Sequence, residues 1–183
     1  MKKLLTLLFI LIAFASSRAQ LKGATCLNTK SPFELFNRQI KLNAKPIHVS
    51  NLENLIADSI YLEVQFDNNI SYDYLIKGVK VLIVNTTNRD LEFLDEGTIE
   101  LICQANDTSG EWYDIEGRPT LWNCWATYKT LPEKSYYEAV APCYDGGEEY
   151  KLRYRFTVDD QTYYSNEFMG RINSSQLISK KKP

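Results

Sequence analysis

Toward its C-terminal end the chain alternates residue by residue. Tyr150, Leu152, Tyr154, Phe156 and Val158 are interleaved with Lys151, Arg153, Arg155 and Thr157. A period of two puts one face in a core and the other in water, as in a half-buried antiparallel strand. Asp159-Asp160-Gln161 interrupts the pattern with turn formers, and Thr162–Phe168 follows as a second β-prone run. Tyr150–Phe168 is therefore predicted to be a hairpin around which the other strands assemble.

The same signals recur upstream. Ile60, Leu62, Val64 and Phe66 alternate with Tyr61, Glu63 and Gln65, predicting an amphipathic strand that ends at Asp67-Asn68-Asn69. Val79–Val84 is apolar almost throughout, as expected of a central strand covered on both sides. Leu91–Leu94 is predicted as a short strand. Thr98–Gln104 and Glu111–Ile115, separated by Asn106-Asp107-Thr108-Ser109-Gly110, suggest a second hairpin. Leu121–Tyr128 and Ser135–Ala141 add two more β-prone runs. Short strands at close spacing, with turn residues between them, predict an all-β antiparallel sandwich. Before residue 57 the pattern is weaker. Residues 20–56 are expected to be a lead-in with edge strands, one of them near Ile40 and Leu42, and residues 57–172 the sandwich domain. Residues 173–183, ending in Lys180-Lys181-Lys182, are expected to be a polar and basic tail.

One segment resembles a known architecture. Asp145-Gly146-Gly147-Glu148-Glu149-Tyr150-Lys151-Leu152 is similar to the approach to strand F of immunoglobulin-like domains, and Leu131-Pro132-Glu133-Lys134-Ser135-Tyr136 to a strand entry of fibronectin-III-like domains. The resemblance covers about residues 130–170. It implies an immunoglobulin-like sandwich with Tyr150 at the tyrosine-corner position and Leu152 in the core. Two features depart from it: the Asp-to-Tyr spacing is one residue long, and the last strand lacks the cysteine of antibody-type domains.

The N-terminus sets the compartment. Lys2 and Lys3 precede the apolar run Leu4–Ala15, and Ser17 and Ala19 stand at the −3 and −1 positions of a cut before Gln20. This is the layout of a secretory signal peptide over residues 1–19, and the run is too short for a membrane-spanning helix. Cleavage would leave about 164 residues, one domain of ordinary size. It would also remove Lys2, Lys3 and Arg18, taking the formal charge from −2 to −5. An acidic domain without a basic footprint argues against nucleic acid as a partner. No later stretch is long and apolar enough to span a bilayer. A secreted or periplasmic location follows.

In an exported chain, the four cysteines Cys26, Cys103, Cys124 and Cys143 predict two disulfides. Of the three connectivities, Cys124–Cys143 with Cys26–Cys103 is preferred. The first closes a short loop worth about 3 kcal/mol, and the second ties the N-terminal segment to the core. No close Cys-x-x-Cys spacing supports a metal site, and no cofactor motif is present.

Catalytic patterns are also missing. His48, the single histidine, has no nucleophile motif to serve and is expected on a surface or edge strand. Asp114 and Glu116 would share a face of a regular strand, a placement common on solvated sheets. Asp145, Glu148 and Glu149 lack calcium-loop spacing. The sequons at Asn69, Asn85, Asn106 and Asn173 are bare turn residues if the short Met-Lys-Lys leader is bacterial, as it looks.

What exceeds background is aromatic. Trp112, Tyr113, Trp122, Trp125 and Tyr128 fall within seventeen residues. Trp122 and Trp125 are three apart and cannot both face one side of a regular strand. Trp112, Trp122, Trp125 and Tyr128 are therefore the candidate contacts of a non-catalytic binding module for an extracellular or envelope protein. The alternatives are a carbohydrate-binding module using these rings as stacking platforms, and a purely structural accessory domain in which they are buried. The cationic row Lys151, Arg153 and Arg155 is expected to be a solvated sheet face, or otherwise a surface for an acidic partner.

Overall fold

The computed structural model describes residues 24–29, 40–43, 45–67, 69–73, 75–95, 99–117, 127–158 and 160–177. The predicted signal peptide, Cys124, Trp122 and Trp125 lie outside them. No helix among the described residues is long and apolar enough to cross a membrane.

The protein is all-β and antiparallel. One five-stranded sheet holds β1 (Lys41–Leu42), β2 (Ile47–His48), β3 (Ile60–Gln65), β4 (Gly78–Asn85) and β9 (Ser135–Pro142), in the order β1-β9-β4-β3 with β2 also on β9. The second holds β6 (Leu101–Asn106), β7 (Trp112–Asp114), β10 (Glu148–Val158), β11 (Gln161–Tyr164) and β12 (Phe168–Ile172). Its order is β11-β10-β6-β7, with β12 also on β10. β5 (Leu91–Asp95) and β8 (Thr127–Leu131) form a separate pair. Leu62, Val64, Val81 and Ile83 of the first sheet share one core with Leu101, Cys103, Leu152, Tyr154 and Phe156 of the second. Two sheets that bury their inner faces together are compatible with a sandwich. Phe93 of β5 extends this core, meeting Phe156 and Tyr137 edge-on at 5.6 and 6.2 Å.

β4 is central, and its apolar run is explained by two coverings. Val79, Val81 and Ile83 face the shared core. Leu82 and Val84 face outward and are covered by Val49 and Tyr136, with Ile47 and Leu52 beside them. The lead-in segment thus buries the outer side of the first sheet.

The hairpin predicted over Tyr150–Phe168 forms, but its second arm is divided. Arg155 pairs with Tyr164 and Leu152 with Phe168. Two residues of β10 therefore face three of the return strand, which defines a β-bulge. Ser165 stays opposite Tyr154, donating its N–H to the Tyr154 carbonyl (2.9 Å) and accepting the Tyr154 N–H on Oγ (2.9 Å). Asn166 and Glu167 are left together opposite Arg153. Asn166 leaves the ladder to accept the Val64 N–H on Oδ1 at 2.7 Å, tying the two sheets at their edge.

Several expectations are corrected. Phe66 was expected to continue the inward row of β3, but it lies past the end of the strand and is 64 % exposed. The Tyr150 hydroxyl donates to Glu148 within β10 (2.8 Å) and not to upstream backbone. Asn173–Leu177 is not a free tail: the Asn173 amide donates to the Thr29 carbonyl (2.7 Å), and Gln176 is buried. Gly146 is required by a close approach, since a Cβ there would lie 2.0 Å from the Ile172 carbonyl carbon.

The disulfide expectation fails in its pairing. Cys26 bonds to Cys143, and Cys103 is a free, fully buried thiol on β6. The N-terminal segment runs beside Cys143, with the Leu27 N–H donating to the Cys143 carbonyl at 2.7 Å. That places the two sulfurs together, whereas the Cys103 side chain points into the core. The sequence separation of 117 residues makes the bond a long-range staple. On the chain-entropy model it is worth about 4–5 kcal/mol. Cys26→Ser/Cys143→Ser should lower the urea unfolding free energy by that order. Native alkylation should leave Cys103 unmodified, with labelling at Cys103 appearing only on unfolding; labelling of Cys103 in the folded protein would contradict its burial.

Candidate functional site

Two adjoining regions of the second sheet carry the polar and aromatic groups that a functional site could use. The first is its outer face. The alternation of β10 sends Lys151, Arg153 and Arg155 outward, as predicted, but their environments differ. Arg155 is buried under its neighbours and forks onto Asp114, Nε to Oδ1 at 3.1 Å and Nη2 to Oδ2 at 2.8 Å, with Glu100 at 3.4 Å. Lys151 pairs with Glu167 at 3.3 Å across an exposed surface. Arg153 is stacked. Its guanidinium carbon lies 4.0 Å from the Trp112 ring centroid and 3.9 Å from that of Tyr164. Its Nε donates to Gln104 Oε1 at 3.0 Å.

The registers explain the stack. Arg153 lies opposite Gln104 on β6, and Asn106, two residues on, pairs with Trp112 on β7. On the other side Tyr164 pairs with Arg155, diagonal to Arg153. The bulge follows Ser165 and leaves no single residue of the return strand in register with Arg153. Rings from β7 and from β11 thereby both reach the cation.

The second region is a pocket of about 210 Å³ at the open edge between the sheets. Val79, Leu152, Tyr154 and the Cys26–Cys143 bridge line it, and Phe66, Phe168 and Met169 stand at its side. Phe168 stacks on Tyr154 (5.9 Å) and meets Phe66 edge-on (5.3 Å). Phe66 and Met169 are 64 % and 55 % exposed. Exposed apolar groups leading into an apolar pocket are a feature that a solitary folded domain does not need.

Behind the pocket lies a buried acid. β7 stops at Asp114, and Glu116 folds inward, accepting the Cys103 N–H on Oε2 at 2.9 Å. A side chain thus supplies an acceptor that the strand no longer provides. Its other oxygen accepts from the hydroxyl of Tyr144, a pocket-lining residue. Burial raises the Glu116 carboxyl to about 7, although the Tyr144 and Cys103 bonds and the charge of Arg155 oppose the shift. Burial, then the Glu116 charge, also raises the Cys103 thiol well above its ordinary value.

The sequence-predicted residues are distributed unevenly. Trp112 belongs to the arginine stack and is half-buried. Tyr128 is on β8 of the two-stranded pair and is 75 % exposed. The two do not share a sheet. Asp114 and Glu116 do not form a carboxylate pair: one is bound outward by Arg155, the other is buried. His48 is exposed on β2, where its Nδ1 accepts the Ser50 N–H at 3.1 Å. Asn85, a sequon residue, is buried and donates to the carbonyls of Arg89, Leu131 and Pro132. No metal-holding group of three or more His, Cys, Asp or Glu occurs among the described residues. The pocket was missed because Phe66, Phe168 and Met169 meet only through the sheet edge. No protein-family model, curated protein or solved structure matches the chain.

The acid has a consequence for stability. Its folded pKa of about 7 exceeds the ordinary 4.5, so the folded state holds the proton more tightly. This contribution is fully present below about pH 4.5 and is lost as the pH rises through 7, on the order of 3 kcal/mol in all. Glu116→Gln retains an acceptor for Cys103 and removes the titration. The difference in urea midpoint between wild type and variant should therefore change between pH 4.5 and pH 8, in favour of the variant at the higher pH. A constant difference would show that Glu116 does not titrate in this range.

Proposed function

We propose that this is an exported, non-catalytic binding module that recognises a protein partner, and that its sheets form an immunoglobulin-like sandwich. The carrying observation is the edge pocket with Phe66 and Met169 exposed beside it. Drug-sized ligands occupy pockets of roughly 300–1,000 Å³. A space of about 210 Å³ suits one apolar side chain of a protein partner, inserted as an anchor. The floor is suited to that use, because the disulfide and the stacked Tyr154 and Phe168 pre-form it and reduce the ordering cost of binding.

Export is supported by the leader pattern and by a disulfide, a bond that persists in oxidising compartments. The shared core and the β10–β11 hairpin support the immunoglobulin-like arrangement. A protein partner is preferred to a glycan because Trp112 spends a ring face on Arg153 and therefore does not offer it to a sugar.

Site-specific photo-cross-linking in the producing cell tests the reading. A cross-linking residue at position 66 or 169 should give a discrete adduct with another protein, and one at the exposed position of Glu53 should not. Phe66→Asp should reduce the adduct at 169 about tenfold or more. Retention on a polysaccharide with no protein adduct would favour the carbohydrate reading. Neither adduct nor retention would leave the structural one.

A further inference from the structure

We propose that Arg153 is the anchor of an anion-binding site on the outer face of the second sheet, and that it takes a carboxylate side chain from an acidic segment of a protein partner. The outer cationic row contains three charges, and the fold satisfies two of them. Arg155 has Asp114 and Glu100, and Lys151 has Glu167. Arg153 has no carboxylate within ion-pair distance among the described residues. Glu167, the acid nearest in the bulge, is drawn to Lys151 and acts on Arg153 at longer range.

The way Arg153 is held fits recognition. The rings of Trp112 and Tyr164 lie 4.0 and 3.9 Å from its guanidinium carbon, and Gln104 takes Nε. Only the edge bearing Nη1 and Nη2 is uncommitted. No hydrogen bond is made by these groups within the described residues, and neither is an unsatisfied buried atom. Two parallel N–H donors on a fixed plane match the two oxygens of a carboxylate end-on. The rotamer entropy that a free arginine loses on binding is already spent in the stack. At the β-bulge no single residue of the return strand is in register with Arg153, and the acid brought there, Glu167, is paired with Lys151.

The chemistry of the surroundings selects the source. A uronic-acid polymer offers the same carboxylate but depends on stacking its sugar rings on aromatic faces, and the faces toward Arg153 are occupied. An aspartate or glutamate side chain needs only the fork and a narrow approach. The choice of a protein source rests on the protein-binding function proposed above; the anion site itself rests on the stack. The domain as a whole is acidic, so general electrostatics would repel an acidic segment, and binding would report this site.

Fluorescence anisotropy with labelled decaglutamate, decaglutamine and decagalacturonate at low salt tests the proposal. Wild-type protein should bind decaglutamate at least tenfold more tightly than either other probe. Arg153→Gln should weaken that binding at least tenfold. Arg153→Lys, which keeps the charge and loses the fork, should weaken it nearly as much, whereas Lys151→Gln should change it less than threefold. Near-UV circular dichroism and the urea midpoint check that each variant is folded. Equal affinity of wild type for decaglutamate and decaglutamine would overturn the site without recourse to any variant. Tighter binding of decagalacturonate would overturn the peptide source. Equal losses in Arg153→Gln and Lys151→Gln would reduce the effect to unspecific charge and also overturn it. Adducts at position 66 that persist in Arg153→Gln would leave the pocket reading intact, so the two proposals can fail separately.

Discussion

The hydrogen-bonding demand of β10 organises the molecule. Of its eleven residues, Glu148–Val158, Lys151–Phe156 pair with β6 on one side, and β11 and β12 pair with it on the other. Unpaired backbone groups are costly in a buried strand, so both flanks must be filled along its length. The return strand does this with one residue too many. Ser165 supplies both its backbone and its hydroxyl to Tyr154, and Asn166 is released to bond Val64 in the other sheet. The same irregularity keeps the ladder, ties the sheet edges and leaves Arg153 without a registered partner on that flank.

Both candidate regions are consequences of that strand. Its inner row, Leu152 and Tyr154, walls the pocket, and its outer row presents Arg153 to the rings. Met169 of β12, at the side of the pocket, pairs with Lys151, two residues from Arg153 along β10. Glu116 adds a third element: a buried acid joined through Tyr144 to the pocket wall. Local proton binding and the shape of the pocket therefore share a residue.

Much of the strand plan was legible. The alternation of Tyr150–Val158 located β10, the apolar run after Gly78 located β4, and the turn residues at Asn106–Gly110 marked the β6–β7 hairpin. The failures have physical causes. Phe66 obeyed the alternation but lay one residue beyond the paired length of β3. Asp114 and Glu116 obeyed strand spacing but straddled the end of β7. Cys26 found Cys143 through a parallel approach of distant segments, Leu27 against Tyr144, that carries no local pattern.

Periodicity by itself determined the all-β class and which face of each strand is apolar, because side chains alternate across a strand whatever its neighbours. Composition indicated a charged outer row and a cluster of aromatic residues. Only the tertiary structure decided which cysteines meet, which acid is buried, and which of three equivalent-looking cations has no carboxylate at ion-pair distance among the described residues. Those outcomes depend on register, and a register shift of one residue, as at the bulge opposite Arg153, changes every partner beyond it.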